Sequence, residues 1–198
     1  MSNTANTSST ASAFDTVADL IVQRRTNLRI NRDRPVDAGL LLRLCELGTW
    51  SPNHKRTEPW RFAIITGDSR RRLGELTALH VQTMGTTDEA VLAKTRSKYE
   101  RSPVVLVVGS HSVEGAGASR RGEDRDAVAA GVQNILLAAT AAGLNSYWGT
   151  GAVTEVPAVK EWCGLQPDDT IVAVIYLGWP IGDVPDPGRS EPTIHHLT

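Results

Sequence analysis

The sequence predicts a single α+β or α/β sandwich built around one sheet. Three observations carry this reading. Segments with helical spacing outnumber those with strand character, and they separate the strands from one another. Val104–Val108 is an unbroken apolar run rich in β-branched residues, as expected of a central strand covered on both faces. A length of 198 residues suits one domain with an attached arm.

The bulk chemistry narrows the class. Hydrophobic residues make up 40% and charged residues 22% of the chain, ordinary for a soluble globular protein. A net charge of −1 supplies no field to recruit nucleic acid or an anionic membrane. No apolar run reaches transmembrane length. Cys45 and Cys163 lie far apart with no short metal-ligand spacing, which argues against a disulfide framework or structural zinc and for a reduced, cytoplasmic setting. Met1–Ser12 is Ser, Thr, Asn and Ala. It lacks the basic start and apolar core of a secretory signal. We read residues 1–13 as a disordered tail and residues 14–198 as the domain.

Taken in order, Asp15 is placed to cap a helix whose apolar face is Val17, Leu20 and Ile21. That helix runs into Arg24-Arg25-Thr26. Asn27–Pro35 has no period and reads as a loop. Asp37 caps a second helix, with Leu40, Leu41, Leu44 and Leu47 at helical spacing and Gly48 as its stop. Trp50–Trp60 is a loop with two X-Pro corners, which push Ser51 and Glu58 toward extended backbone. Its two tryptophans are candidates to anchor its ends. Arg61–Thr66 is a strand. Residues 69–80 return to helical spacing through Leu73, Leu76 and Leu79. Gly85–Arg101 is polar, helical from Asp88, and anchored by Val91 and Leu92 alone.

Pro103 opens the central strand, and His111–Gly122 reads as a mobile loop. Glu123–Ala142 is the longest helical pattern. Its small residues let another helix approach closely, which marks it as the central helix. Leu144–Trp148 is a short strand, Pro157 begins a brief helix that stops at Gly164, and Thr170–Leu177 is the last strand. From Gly178 the tail holds four of the ten prolines and reads as an irregular arm from about residue 179.

Three constellations stand out. Arg24-Arg25-Thr26 puts two guanidiniums and a hydroxyl at a helix end, suited to a phosphate; a solvated basic helix terminus explains it too. In the loop, His54 and Lys55 could touch an anion or planar ring, and Asn53 and Glu58 a heterocycle edge, although a rigid surface loop fits as well. In Trp148-Gly149-Thr150-Gly151 two glycines free the backbone to approach a ligand; a plain tight turn is the alternative. His80 and His111 are isolated. There is no glycine-rich nucleotide motif and no nucleophile–base pair, so no protein side chain is singled out for catalysis.

Taken together, the order of these segments resembles the nitroreductase family. Ile21-Val22-Gln23-Arg24-Arg25-Thr26 is similar to the family's helix ending in Arg-Arg-Ser or Arg-Arg-Thr. Ser51-Pro52-Asn53-His54-Lys55 followed by Glu58-Pro59-Trp60-Arg61-Phe62 resembles its small-Pro…Gln-Pro-Trp-x-Phe signature. Trp148-Gly149-Thr150-Gly151-Ala152 and Leu177-Gly178-Trp179-Pro180 resemble its late Gly-rich segment and final strand exit. The match covers about Phe14 to Pro180 and is nearest to the short, single-domain bacterial branch.

The resemblance implies an α+β homodimer with a central, mostly antiparallel sheet flanked by helices. It implies FMN at the dimer interface, with NAD(P)H as electron donor and a nitroaromatic, quinone or similar small molecule as oxidant in a ping-pong cycle. Carried over residue by residue, Arg24, Arg25 and Thr26 would hold the ribityl phosphate, with Arg189 as a further basic contact. His54 and Glu58 would come from the partner subunit, and Trp148, Gly149 and Thr150 would approach the flavin from the first chain. Two residues depart from the pattern. Glu58 stands where the family usually has glutamine, a charge that would be unfavourable beside a reduced flavin unless Arg56 or Arg61 pairs with it. Gly149 stands where close relatives often carry arginine. These departures motivate a second reading, a flavin storage or sensing protein without turnover. A third is a dimeric module for another phosphorylated ligand at Arg24-Arg25-Thr26.

Overall fold

The computed structural model describes residues 12–198. Of the tail expected at residues 1–13, residues 1–11 lie outside the described residues, while Ser12 and Ala13 open the first helix. That helix, α1, is Ala13–Gln23. Its N-cap is Ser12 rather than Asp15: Ser12 Oγ accepts the Asp15 N–H at 3.1 Å, and the Asp15 carboxylate accepts the Ser12 N–H at 3.3 Å. An acid three residues beyond the cap closes a capping box. No residue of α1 is buried. Phe14, Val17, Ile21 and Val22 are all exposed by half or more, so the expected apolar face does not join the core of its own chain.

The chain then forms α2 (Ala38–Gly48), β1 (Trp60–Thr66), α3 (Ser69–Thr83), α4 (Glu89–Ser97) and β2 (Val104–Ser110). It continues through α5 (Ala118–Ala141), β3 (Asn145–Gly149), α6 (Pro157–Trp162) and β4 (Thr170–Gly178). The four strands form one sheet in the order β1-β2-β4-β3, and every pair is antiparallel. That settles the choice the sequence pattern left open: the fold is α+β. β2 and β4 are the inner strands. Val104, Leu106 and Val108 face α2 and α5, whereas Val105 and Val107 face the layer of α3 and α6. Burial on both sides is why β2 reads as a continuous apolar run rather than an alternation.

α5 is the central helix, buried along Ala127, Val128, Gly131, Val132 and Ile135. It begins at Ala118, so the second half of the stretch expected as a loop is its first turns. The charged Ser-Arg-Arg-Gly-Glu-Asp sequence hid that start, because its solvated face carries no apolar period. Gly48 is not a left-handed stop; it lies inside α2 and is buried. A Cβ added at Gly131 would come within 2.3 Å of the Gly48 carbonyl oxygen. The two helices therefore touch backbone to backbone.

Other expectations shift in the same way. In the polar segment Leu92 is buried but Val91 is exposed, and the missing anchor is Tyr99, which is fully buried and stacked on Tyr176. Leu79 is exposed. His111 is not isolated: its Nδ1 lies 2.7 Å from the buried Asp169 carboxylate. Among the described residues no helix is long and apolar enough to cross a membrane. The arm after β4 is irregular, and its first residues are stitched to the segment after α1. Asn31 donates to the Trp179 carbonyl at 2.8 Å and Ile181 to the Arg29 carbonyl at 3.0 Å.

Two glycines of α5 test the helix seam. Gly131→Ala is expected to lower the unfolding free energy by about 1–3 kcal/mol through overpacking. Gly122→Ala, whose Cβ would meet nothing within 4 Å, is expected to raise it by about 0.5–1 kcal/mol. Urea midpoints on opposite sides of wild type are the expected outcome, and coincident midpoints would contradict the seam. The cysteines give a second test. Burial pushes the Cys45 and Cys163 thiols up from 9.0 to about 11. The fold thus favours the neutral thiol, a contribution complete below the unfolded value and lost as pH rises through the folded one. Stability is expected to decline between about pH 9 and pH 11, measured as denaturant midpoints across that window. A Cys45→Ala, Cys163→Ala protein should lose part of that decline.

Candidate functional site

One end of the site is built where α1 stops. Arg24 closes the helix with its N–H on the Leu20 carbonyl at 3.1 Å. The chain then turns to run beside β3: Thr26 forms a parallel bridge with Ser146, and Asn27 donates to the Ser146 carbonyl at 2.9 Å. The arm arrives at the same place because Asn27 Nδ2 donates to the Gly182 carbonyl at 3.2 Å. These ties create a cleft of about 420 Å³ whose walls include Arg24, Arg25, Gln133 of α5, Asp186 and Arg189. Arg189, the site residue most remote in sequence, is therefore brought to Arg24 and Arg25. Asp186 pairs with Arg25 at 3.0 Å. Three guanidiniums against one carboxylate leave the cleft cationic and suited to a dianionic phosphate. Thr26 is exposed at its edge. Beneath the bridge, Ser146 Oγ is buried without a hydrogen-bond partner among the described residues.

The other end is the loop between α2 and β1. It is held on the N-terminal half of α5. Ser51 Oγ donates to the Ala127 carbonyl at 2.7 Å, and His54 Nδ1 lies 3.0 Å from Glu123 Oε2. Arg120 donates to the His54 carbonyl at 3.4 Å. Of the two expected aromatic anchors only Trp60 packs on the core; Trp50 is 81% exposed. Nor is Glu58 extended. Lys55, Arg56 and Glu58 have φ of 59°, 50° and 50°, a region costing non-glycine residues about 1–3 kcal/mol each. The Glu58 N–H is taken by Asn53 Oδ1 at 2.9 Å, which holds the turn against the pull of the following proline.

The expected partner of the Glu58 charge is absent. Arg61 donates to the Glu58 and Trp60 carbonyl oxygens instead, at 3.2 and 2.9 Å. Among the described residues no cation forms an ion pair with the Glu58 side chain. It is exposed, so water solvates it.

Trp148 and Gly149 end β3 and Thr150 follows it, and none of them lines the cationic cleft. The Trp148 indole N–H donates to the Val172 carbonyl at 3.2 Å, a structural bond. Gly149 is buried, and a Cβ there would stand 3.3 Å from Tyr147 Cε1 and 3.4 Å from Tyr176 Cε2. A side chain at this position would therefore press lightly on the tyrosines below β3. Thr150 is exposed. His54 and Glu58 are likewise remote from the cleft in this chain. Glu123, which touches His54, and Gln133, which lines the cleft, are about 15 Å apart along the helix at 1.5 Å per residue.

The sequence reading missed several participants. Asp186 lay in a proline-rich arm. Asp124, only 1% exposed, lay in a run of charges that reads as a solvated face. The signal was its spacing: Asp124 precedes Ala127, Val128 and Gly131 by three, four and seven residues, on the buried stripe of the helix.

A four-stranded antiparallel sheet between two helical layers, with a cationic cleft at the end of its first helix, defines an α+β protein with a basic cleft beside its sheet. Comparison with known proteins gives the class a name. Residues 21–179 match the model of the nitroreductase family, and the chain belongs to that family. It is 31% identical over 82% of its length to YdjA of Escherichia coli K12, covering 87% of that protein, whose name provisionally assigns NAD(P)H nitroreductase activity. A nitroreductase-like family protein of Bacillus cereus superposes with a TM-score of 0.77 at 26% identity, covering 92% of this chain and 95% of that one. A Desulfovibrio desulfuricans protein solved in complex with FMN gives 0.66 at 25% identity, covering 93% and 94%.

Proposed function

We propose that the protein is an FMN-dependent NAD(P)H oxidoreductase acting on a nitroaromatic, quinone or similar small acceptor, and that it works as a homodimer. The observation that carries this reading is the cationic cleft of Arg24, Arg25 and Arg189 within a family whose members include an FMN complex. FMN, when bound, would supply the redox chemistry between NAD(P)H and the acceptor.

The chain's own residues bind and orient. Arg24 and Arg25, with Arg189 and the Thr26 hydroxyl beside them, hold the phosphate by charge-assisted bonds. The loop carrying His54 and Glu58 lies toward the other end of α5 from the cleft, and we assign it to the partner's site, as the family resemblance implies. Exposed apolar residues support pairing: Phe14, Val17 and Val22 on α1, and Ile194 and Leu197 on the arm, are exposed by half or more. Thr150, exposed beyond the end of β3, would offer its hydroxyl and backbone to the flavin from the first chain. A reduced, cytoplasmic setting suits this chemistry.

Purified protein is expected to be yellow or to take up FMN, and to oxidise NADH or NADPH anaerobically when a quinone or nitroaromatic is supplied. Arg24→Ala and Arg25→Ala should each weaken FMN binding on the order of ten- to a hundredfold, the worth of a charge-assisted hydrogen bond. Flavin fluorescence titration reads this directly. Colourless protein that cannot be loaded would end the proposal, and bound flavin that neither nicotinamide bleaches would favour storage or sensing. Glu58→Gln supplies an independent check. A carboxylate at the ring edge opposes added negative charge there, so its removal should raise the two-electron potential by on the order of 30 mV. Spectroelectrochemistry of wild type and variant measures the shift; an unchanged or lower potential would place Glu58 away from the ring.

A further inference from the structure

The feature the reading above leaves unused is Asp124. It sits on the buried stripe of α5 at 1% exposure, yet no lysine, arginine or histidine among the described residues pairs with it. Its two oxygens accept from hydroxyls on two different loops. Thr57 Oγ1 donates to Oδ1 at 2.5 Å, and Ser112 Oγ donates to Oδ2 at 2.8 Å. A carboxylate taken out of water is costly unless its oxygens are satisfied, so these two bonds are strongly enforced.

The chain of bonds continues past Thr57. Thr57 Oγ1 accepts from Asn53 Nδ2 at 3.0 Å, and Asn53 Oδ1 accepts the Glu58 N–H at 2.9 Å. The relay encloses Lys55, Arg56 and Glu58, all of which have positive φ. Three such residues within four positions represent several kcal/mol of strain, at about 1–3 kcal/mol each. A short surface connector has no need of that conformation, and a free loop would relax out of it. Strain of this kind persists where surrounding bonds over-determine the geometry, and it clusters where a site must be shaped in advance. Through Ser112 the same carboxylate grips the segment after β2, whose His111 N–H holds the Pro59 carbonyl at 2.8 Å. The two loops are thus locked to one another as well as to α5.

We propose that Asp124 is a positioning residue: by clasping Thr57 and Ser112 it fixes the strained 53–58 turn in the shape that faces the flavin of the neighbouring subunit. This rests on the reading of that turn as a flavin wall. The contribution of Asp124 is pre-organisation, since the turn is held before ligand arrives and binding need not supply its ordering cost.

Three variants of the full-length protein test it by flavin affinity and by hydrogen exchange at the Glu58 amide without flavin. Thr57→Val keeps the shape of the side chain and deletes the hydroxyl. Asp124→Asn keeps the volume and removes the second acceptor oxygen. Thr57→Ser restores the hydroxyl. Expected are at least a tenfold loss of FMN affinity in Thr57→Val and Asp124→Asn, about 1.4 kcal/mol, faster exchange at Glu58 in both, and near wild-type values for Thr57→Ser. If Asp124→Asn fails to fold, Thr57→Val against Thr57→Ser decides alone. Wild type that binds FMN beside variants that bind it within about twofold would overturn the clasp alone, even if those variants unfold more easily, since that is what a merely structural bond would do. Wild type that takes up no FMN would overturn the flavin reading and this proposal with it.

Discussion

The close contact between the end of α2 and the middle of α5 is the constraint on which the rest of the structure depends. Gly48 and Gly131 bring the two backbones together where a single methyl would intrude to 2.3 Å. The loop that follows α2 therefore emerges directly over α5, close enough for Ser51 to reach the Ala127 carbonyl and Thr57 to reach Asp124. β1 starts at Trp60, whose indole lies over Gly131, so the sheet takes its place from the same contact. Larger residues at either glycine would move helix, loop and strand together, because interiors at crystal-like density transmit displacement rather than absorb it.

Much of this was legible in the sequence, for identifiable reasons. β2 could be read because burial on both faces leaves an unbroken apolar run. The close packing of α5 could be read because Ala and Gly in a long helical pattern have few other uses. The parallel or antiparallel sense of the sheet could not be read from periodicity, since inner strands carry the same composition either way; the resemblance supplied it. The start of α5 was misplaced because helix propensity in a polar stretch is a weak signal. Asp15 was given the cap that Ser12 holds, since either residue suits an N-cap and only the coordinates separate cap from third position.

The site divides in the same manner. Arg24 and Arg25 were visible as adjacent cations at a helix end. That Arg189 joins them depends on the arm being stitched to residues 27–31, a long-range pairing with no local pattern. The loop geometry was misread at Glu58 because the rule for residues before proline describes the isolated dipeptide. Here the Asn53 side chain, tied through Thr57 to a buried acid, outweighs it. Gly149 looked like a lost positive contact. The tyrosines packed under β3 leave a Cβ there only tight contacts, at 3.3 and 3.4 Å.

The unpaired Glu58 charge follows from these constraints. Its backbone is held in the left-handed region, and Arg61 is committed to main-chain carbonyls, so the carboxylate stays in water without a cation. Under the proposed reading an anionic ligand meets opposite fields at its two ends: three guanidiniums at the phosphate cleft of one chain and a carboxylate on the partner's loop. Opposite charges at the two ends would favour one orientation of the ligand over the other. In that reading the cationic cleft would hold the phosphate and Glu58 would repel it from the ring end. The same carboxylate would oppose the gain of negative charge on the ring, so orientation and redox poise would be coupled through one side chain. Glutamine at that position would retain hydrogen bonding and give up both effects, which makes the charge, rather than the shape, the distinguishing chemistry of this loop.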